Sequence, residues 1–217
     1  MNGSTARTRR SRTNGSGRRA ELLALAARLF AERGYVSTTV RDIADAAGIL
    51  SGSLYHHFDS KESMADEILR GFLDDLFGTY AEIMDSGLGP RRTLEAVVRA
   101  SFRSIHDHPA EVAIYQNEAK HLTQLERFAY IDERNVEFRD LWRTILGDGV
   151  RDGVFRADLD IELVYRFIRD TVWVAVRWYN PEGTLSADDV AQQYLGILLD
   201  GIATRRRRAT KTGDTHG

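Results

Sequence analysis

The 217-residue chain contains no cysteine. A disulfide framework, a thiolate zinc site and a cysteine nucleophile are thereby excluded, and a reducing cytoplasm suits such a chain. Only three prolines occur in the whole length, which leaves room for long unbroken helices. No run of about 18 apolar residues is present, and the polar, arginine-rich start leads into no apolar signal core, so neither membrane insertion nor export is expected. Strand-like alternation and internal repeats are missing too. So are the organised chemistries of an enzyme, since there is no G-x-S-x-G elbow and no cluster of metal-ligand types. His106 and His108 stand two apart beside Pro109 on diverging sides of a helix end, so no metal, cofactor or catalytic centre is expected.

The residues that are present are those of packed helices, with 42% hydrophobic and 29% charged side chains. The net charge of -2 conceals an asymmetry: residues 1–60 carry nine arginines against five acids, positions 204–217 carry five bases against one acid, and the stretch between holds -10. A basic first segment on an acidic body is the pattern of a nucleic-acid contact region. A helical interaction protein with no nucleic-acid target would leave it unexplained.

Residues 1–17 lack apolar periodicity and are expected to form a flexible basic arm. Leu22, Leu25, Ala26, Leu29 and Phe30 then recur at helical spacing up to Gly34. Thr38 or Thr39 can cap a second helix with Val40, Ile43, Ala44 and Ala47 on one face, ending at Gly48. A third, very short helix follows, with Ser51 as its cap and Leu54 and Phe58 turned inward, so the pair reads as a helix-turn-helix. Ser60 caps a long fourth helix bearing Met64, Ile68, Phe72 and Leu76 on one face. Five more are expected at about 91–107, 109–122, 128–152, 160–179 and 187–203, separated by turn chemistry such as Asn180-Pro181-Glu182-Gly183. The fold class is all-α with nine helices: a DNA-binding domain over 18–65, a ligand-binding and dimerisation domain over 66–203, and a basic tail over 204–217.

A recognition helix must present groups able to reach base edges and phosphates. Ser51, Gly52, Ser53, Tyr55 and His56 offer hydroxyls, an imidazole and a close backbone approach; for Tyr55 the competing reading is a core aromatic. Lys61, at the start of the fourth helix, is assigned to a phosphate. Arg18, Arg19 and Thr39 complete the expected contact set.

Farther along, Val164, Tyr165, Phe167, Ile168, Val172, Trp173, Val174, Val176 and Trp178 surround most of one helix, which must be covered on several sides. Arg169 and Trp173 are four apart and can present a cation beside a flat apolar face, which suits a ligand with an anionic group next to a ring or acyl body. An internal cation–π pair or an ion pair to an acid competes with that reading. In the last helix Val190, Tyr194, Ile197, Leu198, Gly201 and Ile202 form a stripe, and with Trp178 they are expected to build a homodimer interface, intrachain core being the alternative.

Several segments carry a family resemblance. Ala31-Glu32-Arg33-Gly34-Tyr35, Thr38-Thr39-Val40-Arg41-Asp42-Ile43-Ala44, Ser53-Leu54-Tyr55-His56-His57-Phe58 and Ser60-Lys61-Glu62 together resemble the N-terminal signature of the TetR family. The resemblance implies an all-helical homodimer whose two recognition helices read a palindromic double-stranded DNA operator, with a ligand pocket in the C-terminal helices. Asp160 to Thr171 with Trp173, Val176-Arg177-Trp178-Tyr179 and Arg70-Gly71-Phe72-Leu73 resemble, more narrowly, the actinobacterial TetR-family repressors of late cholesterol-ring catabolism. That likeness implies a small-molecule inducer, a coenzyme A thioester of a steroid ring remnant, held at Arg169 and Trp173.

Overall fold

The computed structural model describes the backbone of residues 5–203 and the side chains from Gly17 to Ala203. Nine α-helices follow in order among these residues: α1 (Thr5–Arg33), α2 (Val40–Ala46), α3 (Ser51–Leu54), α4 (Lys61–Asp85), α5 (Pro90–Asp107), α6 (Pro109–Leu122), α7 (Tyr130–Arg151), α8 (Ile161–Trp173) and α9 (Ala187–Ile202). Short 3₁₀ turns at Glu126–Phe128 and Val174–Arg177 lead into α7 and out of α8. An isolated bridge between Phe155 and Ala203 is the one extended pairing among the described residues.

The helix ends have local causes. Gly34 and Gly48 close α1 and α2 at φ of 85° and 65°, a region that costs a residue without Cβ little. Thr39, Ser60 and Ser186 each cap the next helix through a reciprocal box, which satisfies amide groups that otherwise lack partners. The cap of α3 is different from the sequence expectation: Leu50 occupies it without a side-chain bond and Ser51 is already helical, while the helix closes at Leu54 and residues 55–57 form a turn. The expected arm also differs, because the backbone is helical from Thr5 onward as one continuation of α1. No proline stands in that stretch, and extending an existing helix avoids the cost of nucleating one. The basic tail lies outside the described residues.

Two apolar cores result. The first gathers Leu22, Phe30, Ile43, Leu54, Phe58, Met64 and Leu69, and it is completed by Ile114 and Leu122 of α6, Phe128 of the following 3₁₀ turn and Ile131 at the start of α7. The second holds Phe72, Tyr80, Val97, Phe102, Trp142, Ile168, Trp173 and Leu199 among others, with α5 packed along α9. The expected boundary at 65/66 falls inside α4, which has no linker there: Met64 and Ala65 belong to the first core and Phe72 to Tyr80 to the second.

Candidate DNA-contacting surface and ligand cavity

The short third helix stands on Leu54 and Phe58, which are 1% and 4% exposed. With that face fixed inward, Gly52, Tyr55 and His56 are exposed and Ser51 and Ser53 half-buried. Tyr55, at 55% exposure, is therefore an outward residue and not a core aromatic. A Cβ on Gly52 would meet nothing within 4 Å, so the backbone there is open to a close partner. Leu50, exposed to 80% at the head of the helix, escaped the sequence reading because an apolar residue in a turn looks like core.

The basic residues around this surface behave differently from the sequence expectation. The Lys61 ammonium donates to the carbonyls of Tyr35 and Thr38 at 2.7 and 2.9 Å, reaches that of Val36 at 3.4 Å, and lies 4.3 Å from the centre of the Tyr35 ring. Burial holds its pKa below the ordinary lysine value. Its N–H donors are directed at carbonyls of the turn that follows α1, so a phosphate at Lys61 would compete with acceptors of the protein itself. Arg18 pairs with Glu21 at 3.0 Å and donates to the Ala47 carbonyl at 3.2 Å, while Arg19 pairs with Glu67 and lies 4.5 Å from the centre of the Phe58 ring. Arg18 thus ties α1 to the end of α2 while staying exposed, and Arg19 ties it to α4 and Phe58. The Thr39 hydroxyl is likewise committed to its capping box, donating to Asp42 at 2.6 Å.

A cavity of about 700 Å³ lies between α4, α6, α7 and α8, within the size range of sites for small organic ligands. Phe72, Leu76, Phe138 and Trp173 give it an apolar wall, and Arg169 lines it with Trp173, so the structure brings that expected pair to one place. Trp173 is 5% exposed and meets the Phe138 ring edge-on at 6.0 Å. Arg169 donates through Nε to Asp170 at 2.7 Å and stands 5.6 Å from the Tyr165 ring centre. The Asp170 carboxylate, chiefly, raises its already high pKa, so the guanidinium stays charged. Tyr115 donates to Asn135 on the same wall, and its phenol is pushed up to about 12, mainly by burial. Arg139, Tyr115 and Asn135 were missed by sequence reasoning, since residues drawn from separate helices leave no local motif.

The expected dimer stripe splits in two. Ala187, Ala191, Leu195, Leu199 and Ile202 face the protomer's own core, and Tyr194 meets the Phe102 ring at 5.9 Å. Ile197 is 78% exposed and Leu198 half-buried. Five positions separate Ile197 from Ile202, a rotation that sends them to different sides of a 3.6-residue helix. Trp178, Phe167 and Leu163 are also exposed apolar side chains, at 60%, 62% and 47%. Among the described residues no helix is long and apolar enough to cross a membrane, and no group of three or more potential metal ligands is found.

Comparisons with known proteins agree with this geometry. Residues 22–68 match the family model of bacterial regulatory proteins, tetR family, and residues 87–202 that of the tetracyclin repressor-like C-terminal domain. The HTH-type transcriptional repressor KstR2 of Rhodococcus jostii (strain RHA1) is 66% identical over 189 residues, covering 87% of this chain and 93% of the relative. The solved ketosteroid transcriptional regulator KstR2 of Mycobacterium tuberculosis superposes with a TM-score of 0.85 at 58% identity, covering 87% of this chain and 96% of that one. A structure of AibR in complex with isovaleryl coenzyme A and operator DNA gives a TM-score of 0.74 at 26% identity, covering 84% and 98%.

Proposed function

This chain belongs to the TetR family of bacterial regulators and is a transcriptional regulator, not an enzyme, and on that premise we propose that it is a cytoplasmic, homodimeric repressor released from a palindromic operator by a steroid-derived coenzyme A thioester. The observation that carries the reading is that Arg169 and Trp173 line one cavity with the apolar face of α4. A fixed cation beside an aromatic wall suits a ligand that joins an anionic carrier to a bulky apolar acyl group. The names of the KstR2 relatives point to ketosteroid metabolism, and the isovaleryl coenzyme A complex of AibR supports a thioester in this fold. The inducer acts as an effector, and no cofactor is required.

The same helices connect cavity and DNA surface. Tyr115, Gln116 and Ala119 of α6 line the cavity, while on its other side Glu118 accepts the Tyr35 amide at 3.2 Å and Leu122 is buried in the first core. Occupancy that shifts α6 or α4 therefore displaces the turn that Lys61 holds, and with it the helix-turn-helix; the two binding events are coupled through a shared element. Tyr55, Ser51, Ser53 and His56 would read base edges and phosphates, with Leu50 suited to a thymine methyl. The exposed apolar side chains of Phe167, Trp178 and Ile197 would be covered by a second copy, which sets the spacing of two half-sites.

Selection of random duplexes on the purified protein should enrich a two-fold symmetric sequence, with complexes containing two chains. Enrichment of an asymmetric site, or of none, would overturn the operator reading.

A further inference from the structure

Three arginines line the cavity, and two of them have carboxylate hydrogen-bond partners on their own helix. Arg169 donates to Asp170 at 2.7 Å and Arg166 to Glu162 at 3.3 Å, both exposed bonds. Arg139, on α7, differs. Its Nε is buried with no hydrogen-bond partner, and its nearest carboxylate, Asp140, stays at 3.8 Å. The side chain as a whole remains 43% exposed, so the unsatisfied point is the inner end of the guanidinium. Among the described residues the Trp142 Nε1 also lacks a partner, but Trp142 does not line the cavity. A buried donor without an acceptor is costly in a folded protein and calls for a reason at that site.

The surroundings say what kind of acceptor would fit. The cavity that Arg139 lines is walled by Phe72, Phe77, Phe138, Tyr165 and Trp173. A phosphate demands several donors and tolerates hydration, which Arg166 and Arg169 offer at exposed positions. One buried N–H beside an aromatic wall matches a single uncharged oxygen. We propose that Arg139 is a specificity-determining residue of the inducer site, donating its buried Nε–H to a carbonyl oxygen carried on the apolar body of the ligand. The repressor thereby separates oxygenated acyl groups from plain hydrocarbon ones of the same shape, because the hydrocarbon leaves the donor unpaired. This rests on the thioester reading above and adds to it the chemistry of the acyl part.

The test uses the full-length protein on labelled operator DNA and two matched probes, a cyclohexanone-bearing propanoyl coenzyme A thioester and its cyclohexane counterpart. The unmodified protein should be released by the ketone at about tenfold lower concentration, the ordinary worth of one such hydrogen bond. In Arg139→Met, which keeps the stem, the ratio should fall to about one, and Arg139→Lys should restore part of it. Operator affinity without thioester checks that each variant is folded. Since the lost donor is unsatisfied in the free protein, Arg139→Met should melt no lower than the unmodified chain. Equal potency of the two probes on the unmodified protein, or an undiminished ratio in Arg139→Met, overturns the assignment while leaving the thioester reading intact. Weakening of both probes alike by Arg139→Met would make it a contact to the carrier and also overturns the proposal. Release by neither probe nor by any steroid-derived thioester would remove the thioester reading itself, and this inference with it.

Discussion

Replacing Lys61 by Met separates two readings of the same lysine. Methionine keeps the apolar stem and removes the ammonium, leaving the carbonyls of Tyr35 and Thr38 without the donors now at 2.7 and 2.9 Å and the Tyr35 ring without its cation at 4.3 Å. Hydrogen bonds from a charged donor contribute about 1.5 to 3 kcal/mol each when buried, and the cation–π contact about 0.5 to 1 kcal/mol at a partly exposed site. Lys61 is only partly buried and water can reach the freed carbonyls, so the loss should be about 3 kcal/mol, somewhat below the sum of those contributions. For a chain of this size that lowers Tm by about 6 to 12 °C. Thermal unfolding followed by circular dichroism reads the change directly. Operator binding across a salt series reads the alternative: a lysine on a phosphate would lower the salt slope by about one per contact, or about two per dimer. The structure calls for a fall in Tm with an unchanged slope. An unchanged Tm with a reduced slope would refute the carbonyl clamp and reinstate the phosphate contact.

Two further outcomes are expected. The Thr39 hydroxyl and backbone amide hold the Asp42 carboxyl below its ordinary value; because the folded pKa is the lower one, its stabilisation is complete above the ordinary carboxylate range and is lost as pH falls through the folded value. The Tm gap between the unmodified chain and Asp42→Asn should therefore be constant near neutrality and close in acid, and a gap that persisted below the carboxylate range would contradict the capping role. Ile197→Glu places a charge at a position 78% exposed in the protomer, so sedimentation should find folded monomers with weak operator binding, whereas an intact dimer would move the interface elsewhere.

Much of this architecture was legible in the residues because its signals are local. Met64, Ile68, Phe72 and Leu76 are all buried on α4 as their spacing requires, and Thr39 and Ser60 cap the helices they precede. Leu54 and Phe58 face inward and leave Tyr55 exposed in the turn between them. What the sequence did not reveal depends on contacts across the chain. Nothing near Lys61 announces that carbonyls more than twenty residues earlier will absorb its charge, and nothing near Arg19 announces Glu67 or the Phe58 ring. In both cases a basic residue near a DNA-reading element was assigned to DNA, although the folded chain offers it turn carbonyls or a carboxylate of its own. The cavity shows the same division: Arg169 and Trp173 share a helix and were found together, but Tyr115, Asn135 and Arg139 come from α6 and α7 and meet them only in the folded chain.

The central claim is that occupancy of the α4–α8 cavity, and not a direct contact with DNA, governs operator release. The measurement that addresses it most directly is titration of operator-bound protein with a steroid-ring coenzyme A thioester, performed on the unmodified chain and on Arg169→Met. Arg169→Met should bind operator with unchanged affinity and require roughly tenfold to a hundredfold more thioester for release, the value of one charge-assisted hydrogen bond. Identical release curves, or an operator affinity that falls with the charge, would contradict the account.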